Sequence, residues 1–261
     1  MTAPSMAARP SPVPVFLYRW TLYVRTWRGT VFSSFLLPVL FLVGMGVSVG
    51  SYVDANGTLG VSYVDYIAPA LLASTVFQIG VSEASWPVLG GFQWVRTYYA
   101  MGATPLRPRD MVGGELLFIG LRAAASAVGF GIVMALFGAV HGWTGLALLP
   151  VAVLLAVASA APVLAYSATI TTDNMFSILF RFGVIPMTLL AGVFFPVEQL
   201  PSAVRWLAYL TPLWHGVELS RAASMDTATA APWMLHVGYL AAWLVVGYLL
   251  AARRFTRKLM D

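Results

Sequence analysis

Glu115 and Arg122 stand seven residues apart, and they are the only Asp, Glu, Lys or Arg side chains between Val112 and Thr172. Seven residues are two helical turns, so in a helix the carboxylate and the guanidinium share a face. Ionisable groups in so apolar a setting are costly and are usually paired or functional. Glu83 closes another apolar run and is a second carboxylate for Arg122. Glu83, Glu115 and Arg122 are therefore expected to form an intramembrane charge network. It fits either an ion pair locking two helices or a contact with a transported molecule.

Other chemistry is sparse. His141, His215 and His236 are far apart in sequence, and nothing resembles H-E-x-x-H. Gly46-Val-Ser-Val-Gly50 matches G-x-S-x-G, but a nucleophile elbow needs a strand–turn–helix and this run is continuously apolar. Close helix packing through Gly46 and Gly50 is the better use. The chain has no cysteine, which removes thiolate metal sites and Cys nucleophiles. Lys258 is the only lysine and follows no glycine-rich loop, so the chain lacks a Walker A motif of its own. No catalytic residue, metal site or resident cofactor is expected.

What must position the three charges follows from composition. Of 261 residues, 59% are hydrophobic and 10% charged, against about 25% charged in soluble domains. Stretches 31–53, 123–172 and 227–252 carry no Asp, Glu, Lys or Arg, and a spanning helix needs about 20 apolar residues. The fold expected is an all-α membrane protein with six transmembrane helices, at about 31–53, 63–85, 112–140, 146–169, 177–195 and 233–252. Pro38 is expected to kink the first. The net charge of +5 then marks one membrane face and not a nucleic-acid partner.

The polar connections have character of their own. Residues 1–12 are rich in Pro, Ala and Ser and read as disordered, with no signal-peptide core. In 13–29, Arg19, Arg25 and Arg28 alternate with aromatic and aliphatic residues, the mix of an amphipathic helix in the headgroup layer. Asp54-Ala-Asn-Gly57 reads as a turn and Asn56-Gly-Thr58 fits a sequon. Gln93 to Met101 reads as a short amphipathic helix, and Gly102 to Pro108 must turn. Residues 196–232 are divided by Pro196, Pro201 and Pro212 into two short helical segments, Ser202–Leu210 and Leu213–Ala223. A basic tail, 253–261, closes the chain.

Charge sets the expected orientation. With six spans, twelve basic residues fall on the side of the termini, among them Arg96, Arg107, Arg109, Arg253, Arg254, Arg257 and Lys258, and only Arg205 and Arg221 on the other. The positive-inside rule places both termini and the Phe92–Asp110 loop in the cytoplasm.

The 192–221 region carries a recognisable pattern: Gly192-Val-Phe-Phe195-Pro196, Leu200-Pro201, Leu210-Thr-Pro212-Leu213 and Glu218-Leu-Ser-Arg221. It resembles the C-terminal signature of ABC-2 type transporter permeases, with the nodulation lipo-oligosaccharide and daunorubicin exporter branch the nearest match. Arg96 and Thr104-Pro105-Leu106 leading to Asp110 resemble that family's pattern before its third span. The resemblance runs from about residue 13 and covers residues 30–252 as one transmembrane domain. It implies an N-terminal interfacial helix, a cytoplasmic coupling helix and two short re-entrant outer helices. The coupling residues would be Gln93, Trp94, Arg96, Thr97, Tyr98, Tyr99, Thr104, Pro105, Leu106 and Arg107. The outer signature is Phe195, Pro196, Pro201, Pro212, Leu213, Glu218 and Arg221. It also implies a separate nucleotide-binding ATPase that holds ATP and Mg, a second permease copy in a homodimer, surrounding lipid, and a bacterial cytoplasmic membrane. The function implied is export of an amphipathic or lipid-like molecule such as a drug, glycolipid or lipo-oligosaccharide. The alternative is an ion-coupled secondary transporter of a small hydrophobic molecule, which would want midplane acids and two similar halves.

Overall fold

The computed structural model describes residues 11–31, 36–55, 60–227, 229 and 231–260. The turn at Asn56-Gly57, its sequon and most of the expected disordered N-terminus lie outside the described residues. Within them every regular element is helical: α1 (Val13–Val31), α2 (Leu37–Gly44), α3 (Gly50–Ala55), α4 (Tyr63–Ala84), α5 (Trp86–Gln93), α6 (Thr97–Gly102), α7 (Pro108–Leu136), α8 (Leu148–Ser167), α9 (Asn174–Leu179), α10 (Ile185–Leu190), α11 (Ser202–Tyr209), α12 (Pro212–Met225) and α13 (Trp233–Met260).

Among the described residues, four helical stretches are long and apolar enough to cross a membrane: Tyr63–Gln93, Pro108–Leu136, Trp143–Ser167 and Trp233–Met260. The other two expected spans are interrupted. A π-helical turn at Met45–Val49 separates α2 from α3, and another at Phe180–Val184 separates α9 from α10. Asn174–Leu190 is apolar but short. At 1.5 Å per residue it covers about 26 Å, less than the ~30 Å hydrocarbon core.

Local signals account for most boundaries. The Ser62 hydroxyl accepts from the Asp65 amide at 3.1 Å and starts α4, and Thr211 caps α12 through the Trp214 amide at 3.2 Å. Such caps satisfy amides that a helix start leaves unpaired.

Helix α8 is the hub, packed against α13, α4, α7 and α12. Small residues allow it: Ala152, Ala156, Ala160 and Ala161 are fully buried. At Gly80 an added Cβ would overlap the Ala156 carbonyl, and at Gly247 it would press on the backbone nitrogen of Pro162. Both glycines let helix backbones touch, the usual way apolar helices associate where lipid and side chain are equally greasy. Helix α4 is the most enclosed, with 78% of its most apolar stretch buried; α13 has only 22%.

Two sequence expectations change here. The helix expected over Gln93–Met101 is broken: the amides of Trp94 and Val95 both bond to the Gly90 carbonyl and end α5. Arg96 then turns the chain in a left-handed conformation, φ 56°, and α6 starts at Thr97. The expected basic tail is instead the end of α13, helical to Met260. There, Leu259 faces Gly102 and the Tyr99 hydroxyl donates to the Lys258 carbonyl at 3.3 Å. With α5, α6 and the start of α7, this end of α13 forms the basic end of the molecule, which carries Arg96, Arg107, Arg109, Arg253, Arg254, Arg257 and Lys258.

Candidate functional site

Four charged side chains meet near the basic end, one more than the sequence reading assembled. Arg19, from α1, bonds Glu83 Oε2 through Nη2 at 2.7 Å, and its Nε lies 2.9 Å from Glu115 Oε2. Arg122 Nη1 pairs with Glu83 Oε1. All four are largely buried, Glu115 with its side chain 1% exposed. Arg122 thus reaches the carboxylate of α4, and Glu115 receives Arg19 of α1. Two turns of one helix leave ~10 Å between backbones, whereas the packed neighbours α4 and α1 bring their groups alongside. Arg19 also lies 4.8 Å from the Phe118 ring centroid and Arg122 5.2 Å from that of Tyr23.

The network continues into α6. Tyr98 is buried beneath the turn, and its hydroxyl donates to Glu115 Oε1 at 2.6 Å. Burial, and then the adjacent carboxylate, hold that hydroxyl well above the usual tyrosine range, so it stays protonated and keeps donating. The Arg19 guanidinium is disfavoured by burial, but Glu115, Tyr98 and Glu83 outweigh this and raise it. Two cations balance two anions, which is how buried charge is tolerated. The ring of Tyr98 packs at a tilt on Phe92 at 4.6 Å and edge-to-face on Phe255 at 5.2 Å, joining α5, α6 and α13.

The remaining coupling candidates separate into an inward and an outward set. Gln93 donates to the Ile170 carbonyl at 3.3 Å. Trp94, Val95 and Arg96 project from the break, with Trp94 64% and Val95 71% exposed. Phe92, Gln93, Arg96, Tyr99, Thr171 and Lys258 line an open cleft of about 680 Å³. Thr97 and Tyr99 sit on α6. Thr104, Pro105 and Leu106 form the loop after it, and the Arg107 amide is capped by Asp110 at 3.1 Å.

At the opposite end Arg221 ties α12 to α4 and to the turn at Gly192. Its Nε donates to the Tyr66 carbonyl at 3.2 Å and its Nη2 to the Gly192 carbonyl, while Glu218 stands 3.7 Å from Nη1. The guanidinium lies 3.7 Å from the Tyr66 ring centroid. Gly192 holds φ 76°, which is why glycine stands before Phe195 and Pro196 in that turn. Pro201 precedes α11, Pro212 opens α12, and Leu213 is fully buried. His215 and His236, remote in sequence, place their Nδ1 atoms 2.9 Å apart. His215 Nε2 lies 3.1 Å from the Tyr209 carbonyl. A carbonyl only accepts, so His215 carries its proton on Nε2 and His236 donates from Nδ1.

Arg19 is the member the sequence reading leaves out, placing it with Arg25 and Arg28 on an amphipathic helix in the headgroup layer. A signal existed: two carboxylates faced one intramembrane guanidinium, and the surplus anion called for a second cation nearby. Gln78 was missed too. It is exposed in the second half of α4, one turn from exposed Ser82 and from buried Ser74, to whose Oγ its Nε2 donates at 3.3 Å.

The sequence model of the ABC-2 type transporter family matches residues 15–225, and the chain belongs to that family. Nodulation protein J of Rhizobium leguminosarum bv. viciae is 30% identical over 245 residues, spanning 92% of this chain and 93% of that protein. Nodulation protein J of Rhizobium meliloti is 26% identical over 245 residues, 92% of each. The inner membrane transport permease YadH of Escherichia coli is 23% identical over 235 residues, 87% of this chain and 88% of that one. With its four long apolar helices, the chain is a multi-pass membrane protein and a transport component of the ABC-2 type.

Proposed function

We propose that this chain is the permease subunit of an ATP-binding cassette exporter, worked by a separate ATPase that binds ATP and Mg. The observation that carries this is the linkage from the Trp94–Arg96 projection to the membrane helices. The projection is exposed where a partner can press on it, and the next residues bury Tyr98 against Glu115. Through Arg19 and Glu83 that contact reaches α1, α4 and α7. A push on α6 is thereby delivered to the helix that carries Gln78.

The basic end faces the cytoplasm in this reading, with six membrane crossings, α11 and α12 as re-entrant outer helices, and both termini inside. A second copy of the chain completes the pathway. Two features support it. Gln78 is a polar group exposed within α4, which in a bilayer calls for water or a partner. Ile178, Phe182, Ile185 and Leu189 form an exposed stripe along α9 and α10, the i, i+4, i+7, i+11 spacing of a helix contact. A path between apolar walls with Ser and Gln groups suits an amphipathic or lipid-like substrate.

Co-expression with a candidate ATP-binding cassette ATPase subunit from the same genome, followed by reconstitution, tests the reading. A stable complex whose ATP hydrolysis depends on the permease is expected. Accumulation that follows an ion gradient and ignores ATP would replace it with the secondary-transporter alternative. Single cysteines at Thr104 and Thr227 in this cysteine-free chain should label from opposite sides of the membrane, and labelling of both in intact cells would reject the topology.

A further inference from the structure

Away from the charge network, α7, α8 and α13 enclose an apolar groove of about 580 Å³ that opens sideways from the bundle. Gly113, Gly120 and Ala124 make one wall, with Val157, Leu244 and Tyr248 opposite. Gly113 to Ala124 rises about 16 Å along the helix, half of the ~30 Å hydrocarbon core. The groove thus has the depth of one leaflet. Its length ends at the basic end.

The mouth of the groove is charged. Arg109 lies four residues before Gly113, on the same face of α7, and is exposed. Arg253, also exposed, lies four residues beyond Leu249, the last groove residue of α13. The Tyr248 hydroxyl donates to the Arg109 carbonyl at 3.2 Å and pins the two helices together there. The nearest acid, Asp110, is engaged by the Arg107 amide. An apolar slot one leaflet deep, headed by guanidinium groups, has the polarity of an anionic phospholipid: chain inside, phosphate at the arginines.

We infer that this groove is a binding site for one anionic phospholipid of the leaflet at the basic end, with its phosphate on Arg109 and Arg253. A second copy of the chain fits less well, because two copies inserted in the same direction would bring their arginine-rich mouths together at this face. The site requires only a multi-pass chain in a bilayer, so it stands or falls separately from the ATPase reading.

Native mass spectrometry of the detergent-purified protein, titrated with phosphatidylglycerol or phosphatidylcholine of identical chains, reads the site directly. Phosphatidylglycerol should be retained about 5-fold or more over phosphatidylcholine, the order given by one or two surface cations. Arg109→Gln, at an exposed position, should remove most of that preference while keeping the wild-type melting temperature. Ala124→Phe should fill the slot and lower retention of both lipids. Glycerol phosphate without chains should not compete. Equal retention of the two lipids, or a preference unchanged in Arg109→Gln, would overturn the site. So would efficient disulfide cross-linking of a Leu121→Cys variant to a second copy, which would make the groove a subunit contact.

Discussion

The Tyr98 hydroxyl and Glu115 Oε1 are joined by a 2.6 Å hydrogen bond that ties α6 to α7. Its geometry makes two neighbouring parts of the same loop experimentally separable. Tyr98→Phe removes only the hydroxyl and strips a buried carboxylate of a donor, a loss of about 1–3 kcal/mol. The ring still packs on Phe92 and Phe255. The variant should bind the ATPase but couple poorly, with hydrolysis no longer stimulated by substrate. Trp94→Ala combined with Arg96→Ala should do the reverse: melting within about 0.5 kcal/mol of wild type, and weakened co-purification. Identical behaviour of the two variants in binding and hydrolysis assays would refute the division.

The charge network predicts a ranking. Removing Arg122 leaves Glu83 its bond to Arg19. That same Arg19 also holds Glu115, so removing Arg19 takes from Glu115 the cation beside it and leaves Arg122 on Glu83 alone. Arg19→Ala should therefore destabilise more than Arg122→Ala, by up to about 3 kcal/mol when a buried carboxylate is left unpaired. Glu83→Ala should partly rescue Arg122→Ala, whereas Glu115→Ala should not. Thermal melting of the singles and doubles in detergent measures this as a coupling energy.

Packing against the hub helix gives a third expectation. Gly80→Ala adds one carbon where the Ala156 carbonyl already stands, so α4 and α8 must part. A loss of about 1–3 kcal/mol is expected from such overpacking. Gly131→Ala, on α7 with open space around it, should leave the melting temperature unchanged and serves as the control.

The pH dependence of the end opposite the basic one should come from His215. Burial, and then the neighbouring His236, push it from 6.5 down to about 4. The groups facing it are His236 and Tyr239 of α13 and the Tyr209 carbonyl of α11. Between pH 6.5 and 4 the unfolded chain takes up a proton that the folded chain refuses, so stability falls as pH drops through that window and levels off below it. His215→Gln should flatten the melting temperature between pH 7.5 and 4.5. An unchanged slope would show that another group is responsible.

Much of the architecture was legible because the bilayer imposes it. Apolar runs long enough to span declare α4, α7, α8 and α13, and the prolines at 201 and 212 mark where α11 and α12 begin. Partner choice was less legible. Arg122 and Glu115 are neighbours by helical spacing, yet each bonds across to another helix, because side-chain pairing follows packing that no local pattern encodes. The break at Arg96 was hidden for a similar reason. Nothing in Gln93–Met101 is a helix breaker, yet the chain turns left-handed at Arg96 and, two residues on, Tyr98 bonds Glu115 of another helix. The two π turns, at 45–49 and 180–184, likewise leave no mark in the composition of their runs.

Phe255 supports Tyr98 from below, and Leu259 faces Gly102. Residues more than 150 positions downstream thus form the floor of α6. A chain threaded into the bilayer in order of synthesis presents α6 long before that floor exists. In the proposed exporter, the shape that α6 presents to the ATPase is therefore completed only when α13 has inserted.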